Sequence, residues 1–315
     1  MTKFLISRII GMLPTALIVG IVTFFLVHLS PGDPAAFFAG PEATEIELEL
    51  VRARLGLDQP LLLQFFYWIR SVLQGDLGVS FFSAEPVLGL FLRALPATLY
   101  LTFASLLIGT IIAIPMGVLA ALKHNTKTDN LLTIIVLIGM SLPHFWLGML
   151  LVLLFAINLG WFPAQGFVRP EVDVVASLRH IALPALALGY SSAALIARMA
   201  RSSMLDVLTH DYVRTARSKG LRNRVVIWKH AFANAANPVL TVIGLTLVEL
   251  ISGAIIIETV FNYPGIGRLV VNAVLRNDYP LVQASLLLTA VLIMIANLLI
   301  DVGYALFDPR IRYEG

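Results

Sequence analysis

The sequence predicts an all-α integral membrane protein with six transmembrane helices and both termini in the cytoplasm. Composition is the first reason: hydrophobic residues make up 58% of the 315 positions, charged residues only 13%, and the mean hydropathy is +0.88. A soluble domain of this length carries about a quarter charged residues, which cover its surface. A chain this poor in charge therefore needs an apolar solvent, and lipid provides one.

Six apolar stretches are the second reason, because a helix needs about 20 mostly apolar residues to cross a bilayer. They are approximately residues 9–29, 97–122, 131–159, 181–200, 238–257 and 281–305. The third is long enough to cross as one tilted helix. The first follows Lys3 and Arg8 in the manner of a secretory signal, but it is longer than a signal-peptide core, so we expect an uncleaved helix.

The distribution of positive charge predicts the orientation, because cytoplasmic loops of membrane proteins carry an excess of lysine and arginine. Fourteen of the 22 such residues lie in the two termini, in the loop after the second span and in the stretch from Arg198 to Lys229, and eight lie in the other loops. Both termini are therefore predicted to be cytoplasmic. The same distribution explains the net charge of +3 without a nucleic-acid partner.

The spans divide the chain into four predicted segments. These are residues 1–29 with the first helix, 30–96 as an extracytoplasmic loop subdomain, 97–305 as a five-helix core, and 306–315 as a cytoplasmic tail. Loop 30–96 is too long for an unstructured connection. Its acidic stretch 42–49 and its turn residues 75–78 predict a small fold of its own.

A second extramembrane segment, residues 201–237, is strongly basic and helical in pattern, and in this topology it is cytoplasmic. Asp211 is a suitable helix N-cap, and Gly220 is a suitable residue just past the helix end. Beyond the glycine, an apolar stripe resumes on a second helix at Val225, Val226, Trp228 and Ala231. The pattern predicts two short helices joined at a glycine, which is either a projection for a partner's socket or an ordinary basic loop.

Two places inside the spans are candidates for contact with a transported solute. Glu249 lies near the centre of the fifth span, where an ionisable group is costly; it is either functional or part of an interhelical hydrogen bond. Ser141, Pro143 and His144 lie near the midpoint of the third span, where a proline can free a backbone carbonyl. His144 is a candidate for tuning solute choice, although a satisfied core histidine is the simpler interpretation.

Several other chemistries lack support in the sequence. The chain has no cysteine and no G-x-x-x-x-G-K-[ST] phosphate loop, and its six histidines are scattered over different spans and loops rather than grouped as metal or haem ligands. Two rival classes remain. A transporter or channel without ATPase partners would be expected to show paired intramembrane charges or inverted repeats, and a membrane enzyme would need a nucleophile or an acid–base pair.

The basic segment resembles the coupling-helix motif of ABC importer permeases, which is E-A-A-x-x-x-G in the wider family. Arg214-Thr215-Ala216 stand where the general form has Glu-Ala-Ala, and Gly220 is in place. Residues 211–221 are similar to the version found in dipeptide, oligopeptide and nickel permeases. Further family motifs occur in order over nearly the whole chain. They are Pro31-Gly32-Asp33-Pro34, Leu55-Gly56-Leu57-Asp58-x-Pro60, Gly75-Asp76-Leu77-Gly78-x-Ser80, Pro96-Ala97-Thr98-Leu99, Ser141-x-Pro143-x-Phe145-Trp146, Arg198 to Leu205, Glu258 to Arg268, and Asp308-Pro309-Arg310-Ile311-Arg312.

The resemblance implies an ABC type I importer permease fold. The chain would be the first of two homologous permease subunits. Its other partners would be two ABC ATPase subunits, which bind ATP and magnesium, an extracytoplasmic solute-binding protein and the lipid bilayer of the inner membrane. No cofactor, metal or catalytic residue is expected on this chain. The solute would be a dipeptide, an oligopeptide, glutathione, a nickel complex or a sugar.

The resemblance also implies residue roles. The residues expected to seat in a cleft of the ATPase are Asp211, Tyr212, Arg214, Thr215, Ala216, Arg217, Lys219, Gly220 and Leu221. Among them the small Thr215, Ala216 and Gly220 would allow close approach. In the long loop, Gly75, Asp76 and Gly78 would dock the binding protein or gate the outer mouth, and a packing role for the two glycines is equally open.

Overall fold

The computed structural model describes residues 2–29, 35 and 43–307, so the motifs at 31–34 and 308–312 lie outside the described residues. Regular structure in the described part is helical, apart from one isolated β-bridge between Val79 and Pro86. In chain order the helices are α1 (Thr2–Leu29), α2 (Glu45–Leu55), α3 (Leu61–Leu73), α4 (Val87–Leu122), α5 (Lys127–Ser141), α6 (His144–Asn158), α7 (Val174–Leu208), α8 (Asp211–Ser218), α9 (Asn223–Val260), α10 (Ile266–Leu275) and α11 (Tyr279–Phe307). The all-α prediction is confirmed.

Two compact units divide the chain: Met1–Pro96 together with Arg268–Gly315, and Ala97–Gly267. The sequence-based division differs, because it placed everything from 97 to 305 in one core. The structure groups the last span, α11, with α1, against which it packs.

Helix α7 is the centre of the unit Ala97–Gly267, and helices α5, α6 and α9 all pack against it. Its N-cap residue is Asp173, whose Oδ1 accepts a hydrogen bond from the backbone N–H of Ala176 at 3.0 Å. Two thirds of its apolar window (67%) is buried inside the chain, the largest share among the candidate spans of the described part. The predicted fourth span, 181–200, is therefore the middle of a longer helix that has buried residues along most of its length.

Helices α4 and α7 pack with their backbones in direct contact along a line of small residues, which we call the glycine seam. A Cβ atom on Gly109 would stand 2.8 Å from the carbonyl oxygen of Gly189, and one on Gly189 would stand 2.5 Å from that of Ser105. One on Gly117 would meet the carbonyl oxygen of Ala197 at 2.5 Å. Small residues at such positions let membrane helices approach closely and gain van der Waals contact where the hydrophobic effect between helices is absent.

A buried ion pair fixes the beginning of α5 to α7. Asp129 is 2% exposed and accepts two hydrogen bonds from Arg201, from Nε at 2.8 Å and from Nη2 at 2.7 Å. The backbone N–H of Asn125 also donates to this carboxylate, at 3.0 Å. Such bidentate pairs are geometrically specific, so this contact orients the turn between α4 and α5.

The predicted third span, 131–159, is not one helix. It is divided into α5 and α6, which meet at an angle of 106° across Leu142 and Pro143. Proline lacks a backbone N–H and forces the preceding residue out of the helical region, and Leu142 is accordingly extended at φ −87° and ψ 128°. The expectation of a single tilted helix is therefore wrong.

The remaining predicted spans correspond to single helices that extend beyond the predicted limits. Helices α4, α7 and α9 contain 36, 35 and 38 residues. At 1.5 Å per residue each is more than ~50 Å long, longer than the ~30 Å hydrocarbon core, so their ends project beyond it. Five helices of the described part are long and apolar enough to span, and the broken pair makes six if it counts as one. The cytoplasmic position of both termini stays a prediction.

In the other unit, α1 packs against α11 and also against α3, where Phe24 contacts the rings of Phe65 and Trp68 at centroid distances of 5.3 and 5.8 Å. Residues 43–86 form the first-loop segment, which contains α2 and α3. It ends at residue 86, ten residues before the predicted end at 96, because α4 begins at Val87 and continues through Pro96 without a break.

Candidate functional site

The basic segment forms an elbow between α7 and α9, made of α8 and the turn that follows it. Helix α8 begins at Asp211, so its N-cap is His210 and the prediction of Asp211 as N-cap is wrong by one residue. The Asp211 carboxylate nevertheless lies in the first turn, where it complements the helix dipole. Gly220 has φ +70°, the left-handed conformation expected of the residue just past a helix end.

The two faces of α8 have different environments. Val213 is 0% exposed and Ala216 is 6% exposed, and both pack in one cluster with Met204 of α7 and Val226 of α9. Ala216 is therefore covered by this chain itself, and the expectation that it allows close approach of a partner stays a prediction. The other expected contact residues are exposed: Asp211, Tyr212, Arg214, Thr215, Arg217, Lys219, Gly220 and Leu221.

The helix that follows the elbow was predicted to be short. It is instead the beginning of the long helix α9. Its predicted apolar stripe is wrong in part: Val226, Ile227 and Ala231 are buried, whereas Trp228 is 43% exposed. The stretch Val226–Phe232 is wound as a π-helix. This wider winding changes which residues face the core, and a stripe read at the α-helical period cannot anticipate it.

A cavity of about 370 Å³ lies at the break between α5 and α6. It brings together all four residues that the sequence placed near the middle of two separate spans, Ser141, Pro143, His144 and Glu249. The remaining lining residues are Met140, Leu142, Ser191 and Leu195. The break creates this space, because a continuous helix would fill the gap that the 106° bend leaves.

Two buried polar atoms of the cavity lining lack hydrogen-bond partners among the described residues: Nδ1 of His144 and Oγ of Ser191. Ser141 differs, because its hydroxyl donates to the carbonyl oxygen of Leu137 at 2.9 Å. The interpretation of His144 as a satisfied core histidine therefore does not hold for Nδ1. Buried polar groups are nearly always paired in native proteins, so unpaired ones in a cavity indicate a missing partner.

Glu249 is exposed on the surface of the single chain and close enough to His144 for electrostatic interaction. Its carboxylate accepts no hydrogen bond from any residue in the described ranges. A charged group near the middle of a span is too costly to face lipid, so such groups face water or another protein surface. Of the polar lining residues, Ser191 is the one that the sequence did not single out, because a serine in an apolar helix gives no signal by itself.

The turn at residues 75–78 contains glycines because its backbone conformation favours them. Gly75 and Gly78 have φ +82° and +83°, and Oδ1 of the exposed Asp76 accepts a hydrogen bond from the N–H of Gly78 at 2.9 Å. A Cβ on Gly78 would contact Pro280 at 3.6 Å. The backbone conformation therefore accounts for both glycines, and packing, docking or gating by this turn stays a prediction.

Comparison with known proteins gives full-length matches. Residues 1–102 match the N-terminal domain of the binding-protein-dependent transport system membrane components, and residues 113–313 match the family described as binding-protein-dependent transport system inner membrane component. The glutathione transport system permease protein GsiC of Escherichia coli O6:H1 (strain CFT073) is 44% identical over 314 residues. GsiC of Salmonella typhimurium (strain LT2) is 43% identical, and in both cases 100% of each chain is covered.

A solved structure shares the fold. A chain of the MetNI methionine ABC transporter in inward-facing conformations superposes with a TM-score of 0.60 at 20% sequence identity. The match covers 71% of the present chain and 99% of that one. The type I importer permease fold implied by the sequence is thereby confirmed. The chain belongs to the family of binding-protein-dependent transport system inner membrane components, and it is a multi-pass permease subunit of an ABC importer whose ATP is hydrolysed on partner subunits.

Proposed function

We propose that this chain is the first of two homologous permease subunits and that the importer carries glutathione or another small peptide inward. Two ATPase subunits would contact it on the cytoplasmic side, and a solute-binding protein would load it from outside. The relatives named for glutathione transport support the solute class, since they match over the full length at 43–44% identity. In this proposal both termini are cytoplasmic and the broken pair α5–α6 counts as the sixth span.

The elbow, residues 211–221, is the proposed receiver of force from the ATPase. Its cations Arg214, Arg217 and Lys219 are exposed and form no ion pair with any described residue, so they are available for carboxylates of a partner. Charge complementarity of this kind orients a docking partner more than it adds affinity.

The buried face of α8 supports the same role and is the observation that carries the proposal. Through Val213 and Ala216, α8 shares one packed cluster with α7 and with the beginning of α9. Packed cores are close to incompressible, so a displacement of the elbow moves these helices with it instead of being absorbed locally. ATP-driven closure of the partner would thus rock the spans between two states as rigid bodies.

Substitution of Gly220 tests the coupling. Gly220→Val places a β-branched residue at φ +70°, which distorts the turn after α8. We expect solute uptake by the reconstituted complex to fall at least about tenfold while ATP hydrolysis continues, because the two become uncoupled. Gly56→Val is the matched control: Gly56 ends α2 at φ +67° with equally open surroundings, but it lies in the first-loop segment.

The outcomes separate coupling from misfolding. Uptake and stimulated ATPase activity that survive intact in Gly220→Val would exclude the elbow as the contact. An equal loss in both glycine variants would mean that strain in any turn impairs the protein.

The cavity at the helix break is the proposed solute contact along the path, with Ser141, Pro143, His144 and Glu249 in its lining. The first-loop segment is the proposed contact for the binding protein, through the exposed Asp76. Crosslinking from a cysteine placed at position 76, compared with one at the exposed Asp206 of α7, tests the second assignment. Absence of a crosslink specific to position 76 would remove it.

A further inference from the structure

We infer that the cavity at the helix break recognises a primary ammonium group of the solute, with Glu249 as its anionic partner and Ser191 Oγ and His144 Nδ1 as neutral acceptors. The inference rests on the proposed transport function and specifies which chemical group of the solute the cavity recognises. The arrangement combines one carboxylate that accepts no hydrogen bond from the described residues with two buried polar atoms that have no partner among them, and all three belong to residues that line the same space.

The number and type of these groups match an ammonium ion. A primary ammonium has three N–H donors and no acceptor. A carboxylate oxygen, a hydroxyl oxygen and an imidazole nitrogen supply three acceptors, provided that the proton of His144 is on Nε2. The Ser191 hydroxyl can accept from the ammonium through its oxygen. Every polar atom left unpaired in the cavity would then have a partner.

The charge of the cavity lining disfavours recognition of an anionic group of the solute. None of the eight lining residues is lysine or arginine, and one is a glutamate. A carboxylate or phosphate group of a solute would meet like charge here, whereas a cation would be attracted. Four of the eight lining residues are apolar and the other four are Ser141, His144, Ser191 and Glu249, so the attraction for a cation comes from Glu249.

The volume agrees with recognition of part of a solute. About 370 Å³ lies at the lower end of the ~300–1,000 Å³ range of small-molecule sites. The cavity therefore accommodates the amino end of a peptide without enclosing a longer chain. Because the cavity binds only the amino end of the solute, solutes that differ in their other parts can share the site.

The test pairs each solute with its N-acetyl derivative, which keeps the shape of the chain and removes the ammonium charge. Glutathione, dialanine and trialanine are each compared with their acetylated forms in ATP-dependent uptake by the complete complex in proteoliposomes, at saturating binding protein. The experiment is repeated with Glu249→Gln. Because the binding protein is unchanged, its own preference cancels when the ratio of the two uptake rates in the variant is divided by that in the wild type.

We expect Glu249→Gln to lower uptake of the free amines at least about tenfold and that of the acetylated forms less than about twofold. A charge-assisted hydrogen bond of ordinary strength accounts for a factor of that size. Glu249→Asp should recover part of the discrimination, and Ser191→Ala should lose a smaller part. Glu171→Gln, an exposed carboxylate outside the cavity, and Ser252→Ala, on α9, are the matched controls.

Equal losses for free and acetylated solutes in Glu249→Gln would overturn the inference and assign Glu249 to a contact with the second permease. Import by the wild type of acetylated solutes only, or of both forms at equal rates in wild type and variant, would also overturn it while leaving the importer function in place. Absence of ATP-dependent uptake for every solute in the panel would overturn both proposals.

Discussion

Glu249 and Glu258 lie nine residues apart on α9, and their surroundings are opposite. At 100° per residue this spacing puts them on opposite faces of the helix. Glu258 is 0% exposed; its carboxylate accepts hydrogen bonds from Oγ1 of Thr98 at 2.6 Å and from the N–H of Gly267 at 2.7 Å. Glu249 is exposed and accepts none within the described ranges.

The difference shows that the place of a carboxylate in the sequence of a span does not tell whether it stabilises the fold or is available for function. Glu258 is enclosed so closely that a Cβ atom on Gly265 would overlap its carboxylate. The N–H of Ile266 donates to Oγ1 of Thr98 at 2.8 Å, so one network holds the beginning of α10 against α9 and α4. Glu249 makes no hydrogen bond or ion pair with any residue that the structure describes, which leaves it available for a ligand.

The largest effect is expected from Glu258→Ala, which leaves the Thr98 hydroxyl and the Gly267 N–H buried without their acceptor. Each unsatisfied group costs about 1–3 kcal/mol, so the free energy of unfolding should fall by about 2–6 kcal/mol. Glu249→Ala should change it by less than about 0.5 kcal/mol. Thermal unfolding of the purified complex in detergent measures both. Similar losses for the two variants would remove the distinction between them.

A smaller effect is expected from Thr98→Val, which keeps the shape of the side chain and removes the hydroxyl between Ile266 and Glu258. The loss should be about 1–3 kcal/mol, since the N–H of Ile266 is left unpaired. Combined with Glu258→Ala, it should add much less than its own effect, because both variants disrupt one network. Full additivity in a double-mutant cycle would show that the two residues act separately.

The smallest effect concerns a third carboxylate, Glu47, which is hydrogen-bonded like Glu258 but exposed like Glu249. Hydrogen bonds from the backbone N–H and the hydroxyl of Thr44 lower the pKa of Glu47 below its ordinary value of 4.5. A lowered folded-state pKa means that its stabilising contribution is complete above pH 4.5 and is lost as the pH falls through the folded value. As the pH falls through the folded-state pKa of Glu47, amide hydrogen exchange in the first turn of α2 should accelerate relative to its intrinsic rate. Glu47→Ala should abolish this pH dependence. A dependence unchanged in the variant would assign it to another group.

The sequence predicts the spans because apolar length is a strong and local signal, and it predicts the glycine at the end of α8 because a left-handed residue favours glycine. It fails at the third span even though Pro143 is visible. Pro184 and Pro238 lie inside continuous helices, so a proline permits a break without requiring one. Whether the chain bends depends on the packing around it, which one sequence does not specify.

The candidate solute site is predictable only in part. Glu249 stands out because a charge in a span is rare, and His144 because of its place beside a proline. Ser191 does not, since its role depends on facing a cavity that exists only after α5 and α6 separate. In the elbow, the motif suggested Ala216 as a contact, but burial depends on which side of α8 meets α7, and a family motif does not state that.

The glycine seam between α4 and α7 also limits how the protein can change shape. With carbonyl oxygens in the space where side chains would otherwise stand, sliding by one turn would drive larger residues into backbone. These two helices must therefore travel together through any transport cycle. Motion is easiest where the hydrogen-bond ladder is already interrupted, at Leu142 and Pro143, so opening and closing of the path should concentrate beside the cavity rather than within the seam.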